Sequence, residues 1–471
     1  MIVNISSVES RPHVPPASGE QQPGSGASAI PLARRLTRPF QEFADGKAAS
    51  GLLLLGAALL ALLWANSPWA SSYHHLWETT LTIGTERFGL SMSLHQWIND
   101  GLMAVFFFVV GLEIKREILV GELSGLRQAA LPIVGALGGM VVPALVYTLI
   151  TGGTPASSGW GIPMATDIAF AIGIVTLLGD RVPSSLKLFL AALAIVDDIG
   201  AVIVIAVFYS AELSLGAIVA SLALFTLLLG MNRAGFRHPP AFALIGVLLW
   251  VAVLSSGVHA TIAGVLLAAA IPARTHIDGA DFLDDSRNML AEFESAGGDD
   301  DDVLTNQAQQ DAIFSLENIA LGAQSPLLRF ERQLHSPVAF VIMPLFALAN
   351  AGVSLRGDLA GALMEPALLG VLFGLLIGKP IGIAGAAWLS MRFGIAEMPG
   401  GADMRRLVGV AVLGGIGFTM SLFIANLAFD DAFLLHAAKI GILAGSLLAG
   451  IGGWLLLRRA SIAVPREVLP A

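Results

Sequence analysis

Twelve apolar segments follow one another along the chain, and most are close to the roughly 20 residues that an α-helix needs to cross a bilayer. Their internal glycines and prolines are typical of membrane helices, because neighbouring helices satisfy the freed backbone groups. The pattern predicts an all-α polytopic membrane protein of about 12 transmembrane helices, at residues 48–66, 97–119, 129–150, 157–179, 184–208, 214–231, 240–256, 258–271 (a short one), 336–353, 366–390, 406–427 and 434–457.

The two ends of the chain differ in composition from this membrane body. Residues 1–45 are rich in Pro, Ser, Gly and Gln, which is typical of a disordered tail, and no cleaved signal peptide is expected there. Residues 46–460 are predicted to form one membrane domain, followed by a short C-terminal tail at 461–471.

Two connecting segments have patterns of their own. Residues 79–92 alternate in polarity and turn at Gly84, which predicts a small β-hairpin. The acidic loop at 272–335 contains four consecutive aspartates at 299–302, interpreted as a solvated linker. Its last part, residues 311–335, has helical spacing of apolar residues and is expected to lie along the cytoplasmic surface.

Composition supports the membrane interpretation. Of the 471 residues, 55% are hydrophobic and 13% are charged, and the mean hydropathy is +0.76. Soluble domains carry about 25% charged residues. Cysteine is absent, which excludes disulfides and thiolate metal sites. The net charge of −9 arises within the 272–335 loop, which holds 13 acids and 4 bases. Neither a cofactor nor a nucleic-acid partner is predicted.

Lysine and arginine are distributed unevenly between the two faces of the predicted bundle. The N-terminal tail and every second loop hold 22 of the 26 basic residues, whereas the opposite face holds only Arg87 and Arg356. Lys379 and Lys439 lie within spans. The positive-inside rule therefore places both termini in the cytoplasm. The expected location is a bacterial inner membrane.

Three carboxylates and one ammonium lie within the apolar segments: Asp167, Asp197, Asp198 and Lys379. A charge at bilayer depth costs at least a few kcal/mol and is usually kept for a functional reason. Four such charges in one membrane protein point to the movement of ions or protons.

Two of the apolar segments carry signs of interruption. Asp167 follows Pro163 and Thr166, and a proline inside a span exposes backbone carbonyls that can bind a hard cation. The alternative is that Asp167 only caps a helix start. The eleventh segment holds a glycine-rich run, GGIGFTMS at 414–421, which fits either a second interrupted helix or small-residue helix packing.

Asp197 and Asp198 are adjacent, so they point about 100° apart around a helix and cannot face the same space. One carboxylate can line an ion passage while the other contacts a side chain within the protein. Lys379 is the intramembrane cation near mid-span, and an ion pair with one of these aspartates would lower the cost of both. The alternative is a purely structural pair at a helix interface.

A charged run, GLEIKRE at 111–117, lies at the cytoplasmic end of the second segment. Such runs are mostly anchors and local salt bridges. His259 lies at the outer end of the eighth segment, where a lone histidine is more often structural than a sensor.

Taken together, the chain resembles the NhaA-type sodium/proton antiporters. The resemblance runs in order from about residue 48 to 457, and it is carried by NDGLMAVFFFVVGLEIKREI, PMATDIAFAIG, LAIVDDIGA, SGVHATIAG, MPLFALANAGVSL, GLLIGKPIG and GGIGFTMSLFIA. It implies inverted-topology repeats and two interrupted helices, the fourth and the eleventh, that cross at the midplane. The long N-terminal tail and the 272–335 insert depart from the short-loop members of that family.

The resemblance also implies roles for the intramembrane residues. Asp198 would be the more direct ligand of the transported Na⁺, with Asp197 and Thr166 in the same binding set. Asp197 would bind a proton and pair with Lys379, while Asp167 and Lys379 would offset the charges of facing helix ends. Whether Asp197 or Lys379 carries a second proton stays open.

Further roles are implied outside the membrane centre. Glu113, Arg116, Glu117 and Glu331 match a cytoplasmic cluster linked with pH activation, and His259 is a further candidate for the pH response. The hairpin at 79–92 matches a dimer contact, so a homodimer is expected.

The predicted function is secondary active transport rather than enzymatic catalysis: electrogenic, pH-regulated exchange of cytoplasmic Na⁺ or Li⁺ for external H⁺ across the lipid bilayer, contributing to sodium and pH homeostasis. The alternatives are an intramembrane aspartyl protease and a passive cation channel. The protease needs two facing aspartates and typically a GxGD-like motif, whereas here two of the acids are adjacent and that motif is absent.

Overall fold

A computed structural model describes residues 47–84, 89–121, 123–210, 213–275, 277–297, 303–355 and 359–460. The predicted tails at 1–45 and 461–471 and the aspartate run at 299–302 lie outside these residues (residue 46 does as well). Within the described part the chain is nearly all α-helical, which confirms the predicted fold class at that level.

Each of the twelve apolar segments contains helix. In the first half these helices are α1 (Lys47–Ala65), α2 (Ala70–Glu78), α3 (Met103–Val120), α4 (Leu126–Thr151), α5 (Ile168–Leu177), α6 (Ser184–Phe208), α7 (Leu215–Arg233), α8 (Pro239–Leu254) and α9 (Ile262–Ala270). Shorter turns precede three of them: Leu94–Gln96 and the π turn Trp97–Leu102 before α3, the 3₁₀ helix Pro155–Met164 before α5, and Gly179–Arg181 before α6.

The second half begins with the acidic insert and continues into the remaining membrane helices. They are α10 (Gly279–Ser295), α11 (Gln307–Ala323), α12 (Pro326–Pro337), α13 (Met343–Asn350), α14 (Leu359–Met364), α15 (Pro366–Phe373), α16 (Lys379–Arg392), α17 (Met404–Leu413), α18 (Phe418–Ala428) and α19 (Ala432–Arg459). The π turns Val338–Ile342 and Gly374–Gly378 join α12 to α13 and α15 to α16 without a break.

Among the described residues, six helices are long and apolar enough to cross a membrane, or nine if each of three sharply bent helix pairs counts as one span. The chain is therefore a multi-pass membrane protein. α8 and α9 have only 16 and 9 residues, too few by themselves for a bilayer of ordinary thickness. The number of twelve spans stays a prediction.

The predicted hairpin is confirmed as two antiparallel strands, β1 (Thr80–Ile83) and β2 (Leu90–Ser93). Residue 80 pairs with residue 93 and residue 83 with residue 90, while part of the connecting turn lies outside the described residues. The hydroxyls of Thr82 and Ser91 lie 2.9 Å apart across the pair.

The predicted helix at 311–335 is also confirmed, but in two parts. It divides at Ser325, whose hydroxyl accepts a hydrogen bond from the Leu328 backbone N–H at 3.3 Å, and Pro326 then begins α12. The ninth membrane helix consequently begins ten residues before the predicted position 336. α10 was not predicted; it packs against α11, so most of the acidic insert is a helical hairpin.

Glycines bring α4 and α16 into backbone contact. A Cβ atom added at Gly138 would clash with the carbonyl of Gly382, and one added at Gly382 would clash with the carbonyl of Gly138. One turn away, a Cβ at Gly378 would lie 2.7 Å from the Cα of Pro143. This close approach places Lys379, the next residue, fully in the interior with 0% exposure.

Candidate ion-binding site at the crossing of two broken helices

The first broken helix consists of the 3₁₀ helix Pro155–Met164 and α5, which are bent by 42°. Ala165 and Asp167 between them have extended backbone. Asp167 caps α5, because its Oδ1 accepts a hydrogen bond from the Phe170 N–H at 3.1 Å. The interruption predicted near Asp167 is confirmed, and the capping role that was its alternative is present as well.

The second broken helix consists of α17 and α18, which are bent by 46° around residues 414–417. The glycines there also provide close packing, since a Cβ at Gly415 would clash with the Leu375 carbonyl oxygen. Both interpretations of this glycine-rich run, an interrupted helix and small-residue packing, are therefore correct.

The two breaks contact each other through their backbones and two threonines. The Asp167 N–H donates to the Ile416 carbonyl at 2.6 Å, and the Thr166 hydroxyl donates to the Gly414 carbonyl at 2.9 Å. Asp167 Oδ2 accepts from the backbone N–H of Thr419 at 3.1 Å and from its hydroxyl at 2.5 Å. One carboxylate therefore lies at the N-termini of both α5 and α18, where helix dipoles favour negative charge.

Lys379 and Asp197 form a fully buried ion pair beside this crossing. Lys379 Nζ lies 2.6 Å from Asp197 Oδ2, and both side chains are 0% exposed. Lys379 also donates a hydrogen bond to the carbonyl of Met164, the last residue before the first break. The pair therefore joins α6, α16 and the first broken helix. Removing one partner from such a pair would leave an uncompensated charge in the interior.

Asp198 is buried but differs from Asp197 in its contacts. It is 2% exposed, and its Oδ1, like Asp197 Oδ1, has no hydrogen-bond partner among the described residues. It interacts electrostatically with Asp197, Asp167, Glu113 and Lys379 rather than in a close pair. The two aspartates thus have different surroundings, as their adjacency on one helix predicts. Among the described residues each of the two aspartates has one oxygen free of hydrogen bonds, and Asp198 differs in having no close contact with Lys379.

A second group of charges joins the end of α3 to α12. Arg116 forms ion pairs with Glu331 and, at 3.2 Å, with Glu117, while His335 Nδ1 lies 3.9 Å from Glu113 Oε1. We call these five residues the α3–α12 cluster. The structure brings together the four residues predicted here and adds His335, which lies one helical turn after Glu331 on α12 and was not singled out.

Lys115 and His259 lie outside the α3–α12 cluster. Lys115 Nζ donates to the carbonyls of Ala269 at 2.7 Å and Ile271 at 2.5 Å, at the C-terminal end of α9. His259 lies near the other end of α3, with its Nδ1 3.9 Å from Asp100 Oδ1 and its ring 5.6 Å from that of Phe423. The structure does not bring His259 to the other pH-response candidates.

Thr419 is the main site residue that the sequence did not place. Its polarity was visible in the glycine-rich run, but its hydrogen bonds to Asp167 span 252 residues of chain. Ser421, two residues further along α18, donates to the Ile162 carbonyl at 2.7 Å and adds a second link between the broken helices. Only the crossing itself reveals these partners.

The fold and site define a class: a multi-pass membrane protein in which two broken helices cross beside a buried ion pair and a second buried aspartate. The family model described as Na⁺/H⁺ antiporter 1 matches residues 41–457. The chain belongs to this family.

Curated relatives agree over most of the chain. An "Na(+)/H(+) antiporter NhaA" of Oleidesulfovibrio alaskensis is 52% identical over 92% of this chain and 96% of its own length. "Na(+)/H(+) antiporter NhaA 2" of Syntrophotalea carbinolica is 49% identical over 90% and 97%, and an NhaA of Koribacter versatilis is 49% identical over 92% and 94%. The names of these relatives support neither the protease nor the channel alternative.

Proposed function

We propose that the chain exchanges cytoplasmic Na⁺ or Li⁺ for external H⁺ across a bacterial inner membrane, and so contributes to sodium and pH homeostasis. The relatives named above support this proposal by their names and by their extent of identity. The observation that carries it is Asp198, a buried carboxylate outside the Lys379–Asp197 pair, one oxygen of which has no hydrogen bond within the part of the chain that the structure describes.

The exchange follows from competition for negative charge. With every group ionised, Asp167, Asp197 and Asp198 together outweigh the single positive charge of Lys379 by two. Binding of Na⁺ or of protons reduces this excess, and a charge excess in a medium of low dielectric constant is costly to move. If only the loaded states reorient between the two sides, Na⁺ and H⁺ must alternate, and their movements are coupled.

We assign the ion site to Asp198, Asp197 and Thr166, with Asp198 as the direct ligand. Carboxylate and hydroxyl oxygens suit a small hard cation. Asp197 engages the ion only if its 2.6 Å contact with Lys379 loosens. Release of that contact makes either Asp197 or Lys379 the carrier of a second proton, which renders the exchange electrogenic. The carboxylate of Asp167, at the N-termini of α5 and α18, offsets the positive ends of these two helix dipoles.

We further propose that the α3–α12 cluster sets the pH dependence of exchange. Its carboxylates, guanidinium and imidazole bridge two helices, and Glu113 is in electrostatic contact with Asp198. A change of protonation in the cluster therefore acts on the ion site through charge. His259 is a weaker candidate, because it contacts Asp100 and Phe423 instead of the cluster.

The proposed topology has twelve membrane helices in inverted repeats and both termini in the cytoplasm. Its support is the distribution of basic residues, 22 of 26 on one face, and a helix at every apolar segment. Residues 46–460 then form the antiporter domain, with tails at 1–45 and 461–471. We also propose a homodimer joined through the β1–β2 hairpin, testable by cross-linking a Leu81→Cys variant of this cysteine-free chain.

The decisive experiment is transport by the purified chain in proteoliposomes. A Na⁺ gradient should drive protons uphill, which a passive channel cannot do, and Asp198→Asn should abolish this flux. Asp180→Asn, an exposed aspartate in the turn before α6, is the matched control and should retain it. Flux that persists in Asp198→Asn would reject the assignment, and cleavage of a membrane peptide would favour a protease.

A further inference from the structure

A chain of neutral polar side chains lies at the opposite end of α3 from the α3–α12 cluster. His95 and Asn99 precede α3, in the Leu94–Gln96 and Trp97–Leu102 turns. The cluster lies near the C-terminal end of this 18-residue helix, so the two groups are about 20–30 Å apart along it. The two groups differ in chemistry: the α3–α12 cluster consists of ion-paired side chains, whereas this chain consists of amides and an imidazole, with Asp100 beside Asn99 and Lys439 acting electrostatically on His95.

Asn350, the last residue of α13, is the centre of this polar chain. Its Oδ1 lies 3.0 Å from His95 Nε2 and accepts a hydrogen bond from Asn426 Nδ2 at 2.7 Å. Its Nδ2 donates to Asn99 Oδ1 at 2.9 Å and to the Phe346 carbonyl at 3.0 Å. Asn350 is 1% exposed and Asn99 is 8% exposed. One buried amide thus holds three other elements in a fixed arrangement.

The network is closed but not fully satisfied. Asn426 Oδ1 is buried and has no hydrogen-bond partner among the described residues. A buried network of polar groups specifies one arrangement when every member is paired, and an unpaired acceptor weakens it. We therefore expect the hydrogen bonds of Asn350 to hold this end of the molecule closed. When they separate, Asn426 Oδ1 becomes free to accept a hydrogen bond that it lacks in the closed arrangement.

α18 connects this network directly to the crossing. Asn426 is seven residues after Thr419, which places the two side chains about 10 Å apart along the helix and nearly on the same face. Thr419 holds Asp167 at the start of α18, and Asn426 holds Asn350 near its end. Any displacement of α18 at the ion site is therefore transmitted to the Asn426–Asn350 bond.

We propose that His95, Asn99, Asn350 and Asn426 form the outer gate of the ion pathway, the contact that closes the passage on the side away from the α3–α12 cluster. This inference rests on the proposed exchange function and topology. When α18 moves with the crossing, Asn426 separates from Asn350 and the gate opens. The freed amide oxygens then border the passage, where they suit a hard cation that is losing water.

The test uses the natural absence of cysteine in the chain. Ala347, 0% exposed and one turn before Asn350 on α13, is replaced by cysteine as a reporter behind the gate. A membrane-impermeant maleimide is added to the His95 side of oriented proteoliposomes. Asn426→Ala, which removes one gate hydrogen bond, should raise the initial labelling rate about fivefold. Asn350→Ala, which removes several, should raise it further.

The matched control is Asn232→Ala on α7, which removes a single side-chain hydrogen bond to the Ala270 carbonyl outside the gate. It should leave labelling unchanged. If Asn350→Ala fails to fold, the milder Asn426→Ala still decides the matter. Unchanged labelling in a folded Asn426→Ala protein, or an increase only from the opposite side, overturns the gate.

Failure of the gate and failure of the proposed function give different results. If the unmodified chain drives protons uphill with a Na⁺ gradient and the gate variants label like the parent, the gate alone is rejected. If the chain shows no coupled flux, the exchange function is rejected, and the gate assignment, which rests on it, is overturned as well. Faster labelling with retained coupled flux in the parent protein supports both.

Discussion

The Lys379–Asp197 pair and the Arg116–Glu331 pair have the same chemistry but very different surroundings. The first is fully buried with both side chains at 0% exposure, whereas in the second Arg116 is 38% and Glu331 12% exposed. In water the attraction between two charges is weak and easily screened, while in a protein interior it is large and offsets a large desolvation cost. We infer that loss of either partner of the buried pair costs the fold more, and that the partly exposed pair changes more readily with pH.

The largest expected effect is that of Lys379→Ala, which leaves Asp197 buried without its partner. Breaking a buried ion pair in this way costs about 3–5 kcal/mol of folding free energy, so thermal stability should fall strongly and exchange should be lost. The measurement is thermal unfolding of the purified protein. The double variant Lys379→Ala/Asp197→Ala should be more stable than Lys379→Ala, because the isolated charge is gone; equal or lower stability would show that the pair is not coupled.

An intermediate effect is expected from Thr419→Val, which keeps the side-chain shape and removes the hydroxyl that donates to Asp167 Oδ2. A hydrogen bond to a charged group contributes about 1.5–3 kcal/mol, so stability should fall less than in Lys379→Ala while the crossing loosens. The same thermal unfolding assay checks this order. Thr148→Val is the matched control, since its hydroxyl bonds only the Ala144 carbonyl in its own helix. Equal losses of thermal stability in both variants would show that the hydrogen bond to Asp167 stabilises the protein no more than a hydroxyl–carbonyl bond within one helix.

A smaller effect on stability, with a visible effect on regulation, is expected from Arg116→Ala. Exposed ion pairs contribute only about 0–1 kcal/mol, and this pair is partly exposed, so the free energy of unfolding should change less than in Lys379→Ala. The charge of Arg116 opposes the rise that burial causes in the pKa of Glu331. Its loss therefore lets Glu331 keep its proton up to higher pH, so the pH profile of exchange should move to higher pH with a similar maximal rate. Arg287→Ala, which removes an exposed pair with Asp284 on α10, should leave the profile in place. An unchanged pH profile in Arg116→Ala would show that the α3–α12 cluster does not set the pH dependence of exchange.

The smallest effect is expected from excision of the α10–α11 hairpin. Its ends are already adjacent, because the Ile277 N–H donates to the Gly322 carbonyl at 3.2 Å, so a short Gly-Ser linker can replace residues 278–321. Exchange should persist, and the pH profile should shift less than in Arg116→Ala, since the excised part lacks every residue of the α3–α12 cluster. Complete loss of transport would show that the insert supports the membrane body itself.

Much of the fold could be predicted because it depends on local pattern. Apolar runs located the helices, and alternation with a turn at Gly84 located the hairpin. The two helix breaks were indicated by Pro163 and by the glycines at 414–417. α10 was missed because its acidic residues suggested a linker, whereas its apolar residues are partly covered by packing against α11.

The site was less accessible to prediction, because its contacts are between residues far apart in the sequence. Because Asp197 and Asp198 are adjacent on one helix, the sequence predicted different surroundings for their carboxylates. The energetic cost of a buried charge predicted a partner for Lys379. Nothing local to Thr419 identifies Asp167 as its acceptor, and nothing near Asn350 identifies His95 or Asn426 as its neighbours. These pairings exist only after the helices cross.

The backbone contact between α4 and α16 limits which parts of the molecule can move. At Gly138 and Gly382 the two backbones are so close that an added Cβ atom on either helix would clash with the other. We infer that α4 moves together with α16, so that Lys379 travels with a pair of helices rather than with a single one. The alternation of access in this transporter is thus expected to be a hinge between blocks, with residues 135–143 and 378–386 on the same block.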